Sequence, residues 1–439
     1  MTKNVYYILK ERGFIYQTTE DKKLEYLLGS KKVTSYVGFD ATADSLHVGS
    51  LVPVMAMVHM QHSGHRPIAL IGGGTTLVGD PSGKTEMRKM LSRDRINEFG
   101  KSIKRQLSKY LSFEEGKALV LNNADWLVPL NYIEFLRDIG KHFSVNRMLT
   151  AESYRMRLES GLSFIEFNYM LLQAYDFYIL ARDWDCELQM GGQDQWGNIV
   201  AGVDLTRRMI NKQVFGMTFP LLLSANGEKF GKTASGAVWL DREKTSTYDF
   251  YQFWRNVDDR DVTRCLGFFT FLPMEEVNYL GSLKEPLINR AKEILAYEVT
   301  KLAHGKEEAV KVYTAAVKQF GLSVPEGKVK TSSDIPKLSL GLKGTLPTVK
   351  LKHDLKATLP TVDLPGNQLK DGIWIVKLFV ESGLCSTNSE ARRLIQQGGA
   401  YLNEKKVVSV DIEITPADLQ DGALILQAGK KRHKRVVFV

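Results

Sequence analysis

The sequence predicts a doubly wound α/β domain, followed by a mostly helical block and a small C-terminal α+β unit. Three observations carry this. Apolar strand-like runs alternate with helical patterns through the first half of the 439-residue chain. The alternation stops near residue 235, and a Lys-, Pro-, Thr- and Gly-rich stretch over 322–370 precedes the last compact segment. Strands and helices in alternation build a parallel sheet covered on both faces, and such sheets bind ligands beyond the carboxyl ends of their strands.

The elements follow in order. VTSYVGF (33–39) reads as a strand, closed by Asp40 and a small-residue loop. Leu46 to Ser63 reads as a helix with Gly64 as its C-terminal cap. IALIGG (68–73) is a continuous apolar run, as expected of a strand buried on both faces, and ALVLNN (118–123) is a third strand. Ser163 and Glu166 form a capping-box pattern opening one long apolar helix. CELQMGG (186–192) is a further strand with Asn198 to Arg208 as the helix behind it, and TFPLLLS (218–224) is the last strand. YDFYQFWRNV, DVTRCLGFF and LINRAKEILAYEVTKLAHG read as helices. LKGTLPTVKL from Leu342 and LKATLPTVDL from Leu355 are an internal echo whose prolines block regular helix. The expected divisions are 1–222, 223–321, a linker over 322–370, and 371–439.

Composition narrows the class. With 44% hydrophobic and 25% charged residues, the chain has material for a real core. The net charge of +9 favours an acidic partner such as nucleic acid. No apolar run reaches about eighteen residues, so no transmembrane helix is expected. Acidic Glu11, Glu20 and Asp21 argue against an organelle transit peptide. Cys186, Cys265 and Cys385 form no CxxC pair, which fits the cytoplasm and gives no zinc spacing.

The loops after residues 39, 73 and 190 are where chemistry is expected. DATADSLHVGS (40–50) lies between a strand and a helix, where free N–H groups and the dipole suit phosphate, and His47 adds a donor in the first turn. GGGTTLVGDPSGKTEMR (72–88) is glycine-rich and basic but matches neither standard phosphate loop. Gly79 and Gly83 enclose three residues where a P-loop has four, and Leu77 occupies the third-glycine place of the dinucleotide pattern. Lys84 and Arg88 are either phosphate-reaching cations or parts of a surface loop.

Tyr169, Gln173 and Asp176 are spaced i, i+4, i+7 and share one helix face. Asp176 is the only formal charge between Asn168 and Ile179, a pattern that points to a buried ligand rather than to solvent. Tyr36, Gly38 and Asp40 share one strand face, and Gly38 lets a ligand approach the backbone. GEKFGKTASG (227–236) is a flexible cationic loop, read either as a site or as an exposed turn.

His47-Val48-Gly49-Ser50 and Lys229-Phe230-Gly231-Lys232-Thr233 resemble the HIGH and KMSKS signatures of the class I aminoacyl-tRNA synthetases. Further matches in YVGFDATADSLHVG, GDPSGK, GKHFSVNRML, EFNYMLLQAYDF and GGQDQWGN make the chain similar to bacterial-type tyrosyl-tRNA synthetases over nearly its whole length. The resemblance implies a Rossmann-like catalytic domain. Tyr36 and Asp176 then hydrogen-bond a tyrosine phenol, Asp80, Tyr169 and Gln173 hold the α-ammonium, and Gln195 lies near the carboxylate. Gly38, Asp40, Gly49, Gly192, Asp194 and Lys232 contact ATP. Thr42, His47, Lys84, Arg88, Lys229, Lys232 and Thr233 stabilise the reorganising triphosphate. Mg²⁺ rides with ATP on phosphate oxygens, with no zinc. Ser50 departs from the signature histidine, so its nucleotide contact is weaker or absent.

SGLCSTNSEARRLIQQGGAYLNEKKV resembles a small RNA-binding domain shared with a ribosomal small-subunit protein. There Arg392 and Arg393, with Lys430, Lys431 and Arg432 of the basic tail, are expected to meet RNA phosphates. The implied partners are tyrosine tRNA, L-tyrosine, ATP and, through GKHFSVNRML, a second copy of the chain. The rival readings are the sister tryptophanyl enzyme and a non-catalytic RNA-binding paralogue.

Overall fold

In the computed structural model, the described residues are 4–82, 91–227, 229–233, 236–325, 327–338, 361–370, 372–403, 405–420, 422–429 and 432–438. Lys84, Arg88, Lys430, Lys431 and the repeat up to residue 360 lie outside them. The side chains of Lys232 and Thr233 do too.

Six strands form the first sheet: β1 (Gln17–Thr18), β2 (Thr34–Asp40), β3 (Arg66–Gly72), β4 (Leu119–Asn122), β5 (Cys186–Gly192) and β6 (Phe215–Phe219). Their order is β1-β6-β5-β2-β3-β4, parallel except for β1. From β2 the chain builds outward through β3 and β4, and β5 and β6 then fill the other side. The reversal falls between β2 and β5, and a crevice opens beyond their carboxyl ends.

Three elements depart from the sequence reading. The helix after β2 begins at Leu51, after a 3₁₀ turn over Val48–Ser50, and His47 is extended at φ −116°, ψ 170°. His47 therefore precedes the helix instead of sitting in its first turn. The helix opened by the Ser163–Glu166 capping box ends at Phe167, and a second runs from Tyr169 to Asp183. The Tyr154 hydroxyl enters the break, donating to the Phe167 carbonyl at 2.8 Å and accepting from the Met170 N–H at 3.2 Å. The last strand is Phe215–Phe219, not TFPLLLS, because Pro220 has no N–H to continue the ladder.

Helices Thr247–Arg255, Val262–Phe269, Met274–Ser282, Ile288–His304 and Lys306–Phe320 form the helical block. Its apolar residues, such as Phe250, Trp254 and Tyr297, join one core with the α/β sheet. Residues 322–338 lie against this block. Val324, Val329 and Ile335 are buried in the same core, while Glu276 accepts from the Thr331 hydroxyl at 2.6 Å and Lys301 pairs with Asp334 at 2.6 Å. The C-terminal segment has a separate core running from Leu364 to Val436. Helices Ile375–Glu381 and Asn388–Gln396 pack together there beside a five-stranded sheet. No helix among the described residues is long and apolar enough to cross a membrane.

Candidate active site

A cavity of about 190 Å³ sits at the β2/β5 crevice, lined among others by Tyr36, Gly38, Asp40, Asp80, Tyr169, Gln173, Asp176 and Gln195. Sequence spacing placed these on a strand face, a helix face and two loops, and the fold brings them to one cavity. The modest volume suits a small ligand.

At one end lie Tyr36 and Asp176, 1% and 2% exposed. Asp176 accepts from Asn123 Nδ2 at 2.9 Å and from Trp126 Nε1 at 2.7 Å. Burial pushes its carboxyl up to about 7, against the pull of those two donors, and the charge of Asp40 adds to the rise. The Tyr36 hydroxyl is buried and makes no hydrogen bond among the described residues. Burial, and secondarily the Asp176 charge, raise its pKa well above the ordinary phenol value.

The other end is polar and acidic. Gln195 Nε2 donates to Asp80 at 2.8 Å, and the Ser82 N–H donates to the other Asp80 oxygen at 2.8 Å. Asn198 Nδ2 donates to Gln173 Oε1 at 3.0 Å. The Tyr169 hydroxyl donates to Asp40 at 2.9 Å, and the Thr75 hydroxyl donates to its second oxygen at 2.8 Å. Asp40, which the resemblance assigned to ATP, is thus hydrogen-bonded to Tyr169 and Thr75 at this end of the cavity. Asp40, Asp80 and Asp176 line the cavity, and no lysine or arginine does so among the described residues. A cationic ligand group would balance that charge. At Gly38 a Cβ would meet nothing within 4 Å, so the strand leaves open space beside the cavity.

The two signature segments are joined through the backbone. The Val48 N–H donates to the Val238 carbonyl at 3.0 Å, the Val238 N–H to the Gly231 carbonyl at 2.8 Å, and the Leu240 N–H to the Leu46 carbonyl at 2.9 Å. Lys232–Thr233 pair with Gly236–Ala237 as a two-residue hairpin, so the base of this cationic loop has defined structure. Phe230 anchors it against Trp254, ring centroids 5.7 Å apart. His47 Nδ1 accepts from the Gly49 N–H at 3.0 Å and caps the turn. Thr42 is exposed, its N–H held by the Asp40 carbonyl at 2.9 Å. Asp194 lies in the turn after β5. Burial and Asp80 raise its pKa, and Lys229 opposes them. A larger cavity of about 560 Å³ adjoins Asp194 and Lys229.

Sequence reasoning missed Asn123, Trp126, Thr75, Asn198 and Gln189. Asn123 is central: its Oδ1 accepts from the Gly74 N–H at 2.7 Å, and its amide donates to Thr75 and Asp176. The signal was available, since Asn123 ends a strand run and strand ends carry the site.

In the C-terminal segment the Arg392 guanidinium lies 5.0 Å over the Trp374 ring, Arg393 is exposed, and Arg432 donates to the Leu384 carbonyl at 2.8 Å.

The family described as "tRNA synthetases class I (W and Y)" matches residues 29–321. The sheet, the cavity at its reversal point and the paired signature segments accordingly belong to a class I aminoacyl-tRNA synthetase. The family described as "Tyrosine--tRNA ligase SYY-like C-terminal domain" matches residues 353–436. A tyrosine–tRNA ligase of Desulfosudis oleivorans is 53% identical over 436 residues, 98% of each chain, and one of Clostridium tetani is 49% identical over the full length of both. A C-terminally truncated mitochondrial tyrosyl-tRNA synthetase of Aspergillus nidulans superposes with a TM-score of 0.65 at 32% identity, over 72% of this chain and 94% of that one. The chain belongs to the tyrosine–tRNA ligase family.

Proposed function

We propose that the chain activates L-tyrosine with ATP, releasing pyrophosphate, and passes the tyrosyl group to the 3′ end of its tRNA. The observation that carries this is the buried pair Tyr36 and Asp176, with a hydroxyl that lacks a partner beside a carboxylate held by Asn123 and Trp126. A phenol hydroxyl can donate to Asp176 and accept from Tyr36 at once, whereas an indole N–H only donates. The carboxylate-rich opposite end suits an α-ammonium, held by Asp80, Tyr169 and Gln173, with Gln195 near the substrate carboxylate.

That carboxylate is already ionised, so its in-line attack on the α-phosphate needs no general base. Rate comes from positioning and from charge stabilisation. Gly192 and Asp194 would hold the ribose. Thr42, His47, Lys84, Arg88, Lys229, Lys232 and Thr233 would steady the departing pyrophosphate. Mg²⁺ would enter with the triphosphate, bound through phosphate oxygens. ATP–pyrophosphate exchange dependent on tyrosine, and absent with tryptophan, tests this reading. Exchange with tryptophan, or none at all, would overturn it.

We also infer a homodimer. Tyr132, Ile133, Val145, Met156, Leu158 and Phe164 all lie within 132–164 and are 50–70% exposed, and a second copy covering this stretch would bury them. Analytical ultracentrifugation giving a monomer mass at micromolar concentration would refute it. The exposed Arg392, Arg393, Lys405, Lys406 and Arg432 suit RNA phosphates. The three buried free cysteines suit a reducing cytoplasm.

A further inference from the structure

We propose that Gln189 is a further specificity-determining residue: with Tyr36 it forms a neutral hydrogen-bonding pair that reads the phenol hydroxyl of the amino-acid substrate, beside the charged acceptor Asp176. The inference deepens the activation reading above and rests on it.

Tyr36 of β2 and Gln189 of β5 are register partners in adjacent parallel strands. Their side chains therefore leave the same face of the sheet side by side, at the point where strand order reverses. Both line the cavity of about 190 Å³, and Gln189 is 2% exposed. The Tyr36 hydroxyl and Gln189 Oε1 make no hydrogen bond among the described residues. Buried polar atoms are nearly always paired, so two unpaired ones at neighbouring register positions in one cavity await a common partner.

The surroundings offer none. The Phe177 ring is 5.4 Å from that of Tyr36, and beside Phe177 stands Gly202, where a Cβ would come within 3.3 Å of Gln189 Oε1. The missing side chain leaves the amide room to turn. A carboxamide carries a donor and an acceptor on one carbon, and rotation exchanges them at little steric cost. A phenol hydroxyl has one donor and two acceptor sites. Asp176 takes the proton, and Tyr36 and the Gln189 amide donate to the oxygen. Phenylalanine leaves all three facing a C–H.

The test is amino-acid-dependent ATP–pyrophosphate exchange on the full chain carrying Gln189→Met, which keeps length and removes hydrogen bonding. Expected is a fall in kcat/KM for tyrosine of roughly two- to fifteenfold, with the phenylalanine value unchanged, so that the ratio between them falls equally. Gln189→Asn, which withdraws the amide by one methylene and keeps the position polar, gives the same direction if Gln189→Met folds poorly. Combined with Tyr36→Phe, the losses are less than additive, because both residues act on one oxygen. An unchanged ratio, or equal losses for both amino acids, overturns the proposal and leaves Gln189 a packing residue. Absence of tyrosine-dependent exchange in the unsubstituted chain instead overturns the activation reading, and this inference with it.

Discussion

Trp126 Nε1 donates to Asp176 Oδ1 at 2.7 Å, inside a pocket where that carboxylate is 2% exposed. Its second oxygen is held by Asn123, so the charge is fixed in place before any substrate arrives. Burial still leaves the carboxyl at about 7, close to working pH.

Tyrosine use should therefore depend on pH through Asp176. Only the ionised carboxylate accepts the phenol proton, so kcat/KM for tyrosine should fall as pH drops through about 7. Trp126→Phe removes one of the two donors that lower this pKa, and its break should move to higher pH. Profiles of pyrophosphate exchange from pH 5.5 to 9 measure both. A flat profile, or a Trp126→Phe break at lower pH, would contradict the assignment.

The same carboxyl should cost stability. It titrates near 7 when folded and near about 3.9 when unfolded, so between these values the native state holds a proton that the unfolded chain has released. Folding stability from this group thus declines as pH rises through that window. Asp176→Asn should abolish tyrosine activation yet raise the melting temperature of the substrate-free chain at pH 8 by a few degrees, with a smaller gain at pH 5. Calorimetry showing a lower melting temperature for Asp176→Asn at pH 8 would refute this.

The union of the signature segments gives a third expectation. Gly231 has φ +83°, and a Cβ there would lie 2.1 Å from Val48 Cγ2. Gly231→Ala should push the cationic loop away from the His47 segment. Like Lys232→Ala, it should lower kcat of activation strongly while the Kd for tyrosine changes little. Loss of tyrosine affinity with kcat preserved, measured by single-turnover kinetics and equilibrium dialysis, would place the loop in ground-state binding.

A fourth expectation concerns the tail. Strand 361–364 pairs with 432–438, and residues 322–338 pack on the helical block, so a cut after Leu338 separates the two cores. The truncated chain should keep pyrophosphate exchange and lose tRNA charging, and because it neutralises fewer phosphates its deficit against the intact chain should narrow as salt rises. Equal loss of both activities would make the tail structural.

Much of this site is legible in the sequence. The alternation of strand-like and helical segments located β2, β3 and β5 within two residues at each end, most plainly β3, whose burial on both faces leaves an unbroken apolar run. The two-residue and helical periods put Tyr36, Gly38 and Asp40, and Tyr169, Gln173 and Asp176, on common faces. The supporting residues were hidden because they act across the sheet. Asn123 is legible as a strand end, but nothing local in it or in Trp126 says that they hold Asp176, about fifty positions away. The helix break at Asn168 escaped for the same reason: its cause is the Tyr154 hydroxyl, supplied by a different helix. The packing of 322–338 escaped because its Pro and Lys content resembles a linker, while Val324, Val329 and Ile335 are too sparse to show a period.

The central claim is that Tyr36 and Asp176 select tyrosine by its hydroxyl, and one measurement tests it most directly. Tyrosine-, phenylalanine- and tryptophan-dependent pyrophosphate exchange should be compared in the unsubstituted chain and in Tyr36→Phe. A hydrogen bond lost from a buried hydroxyl costs about 0.5–1.5 kcal/mol, so Tyr36→Phe should lower the tyrosine-to-phenylalanine ratio of kcat/KM by roughly two- to fifteenfold, with tryptophan inactive throughout. An unchanged ratio in Tyr36→Phe, or exchange supported by tryptophan, would contradict the account.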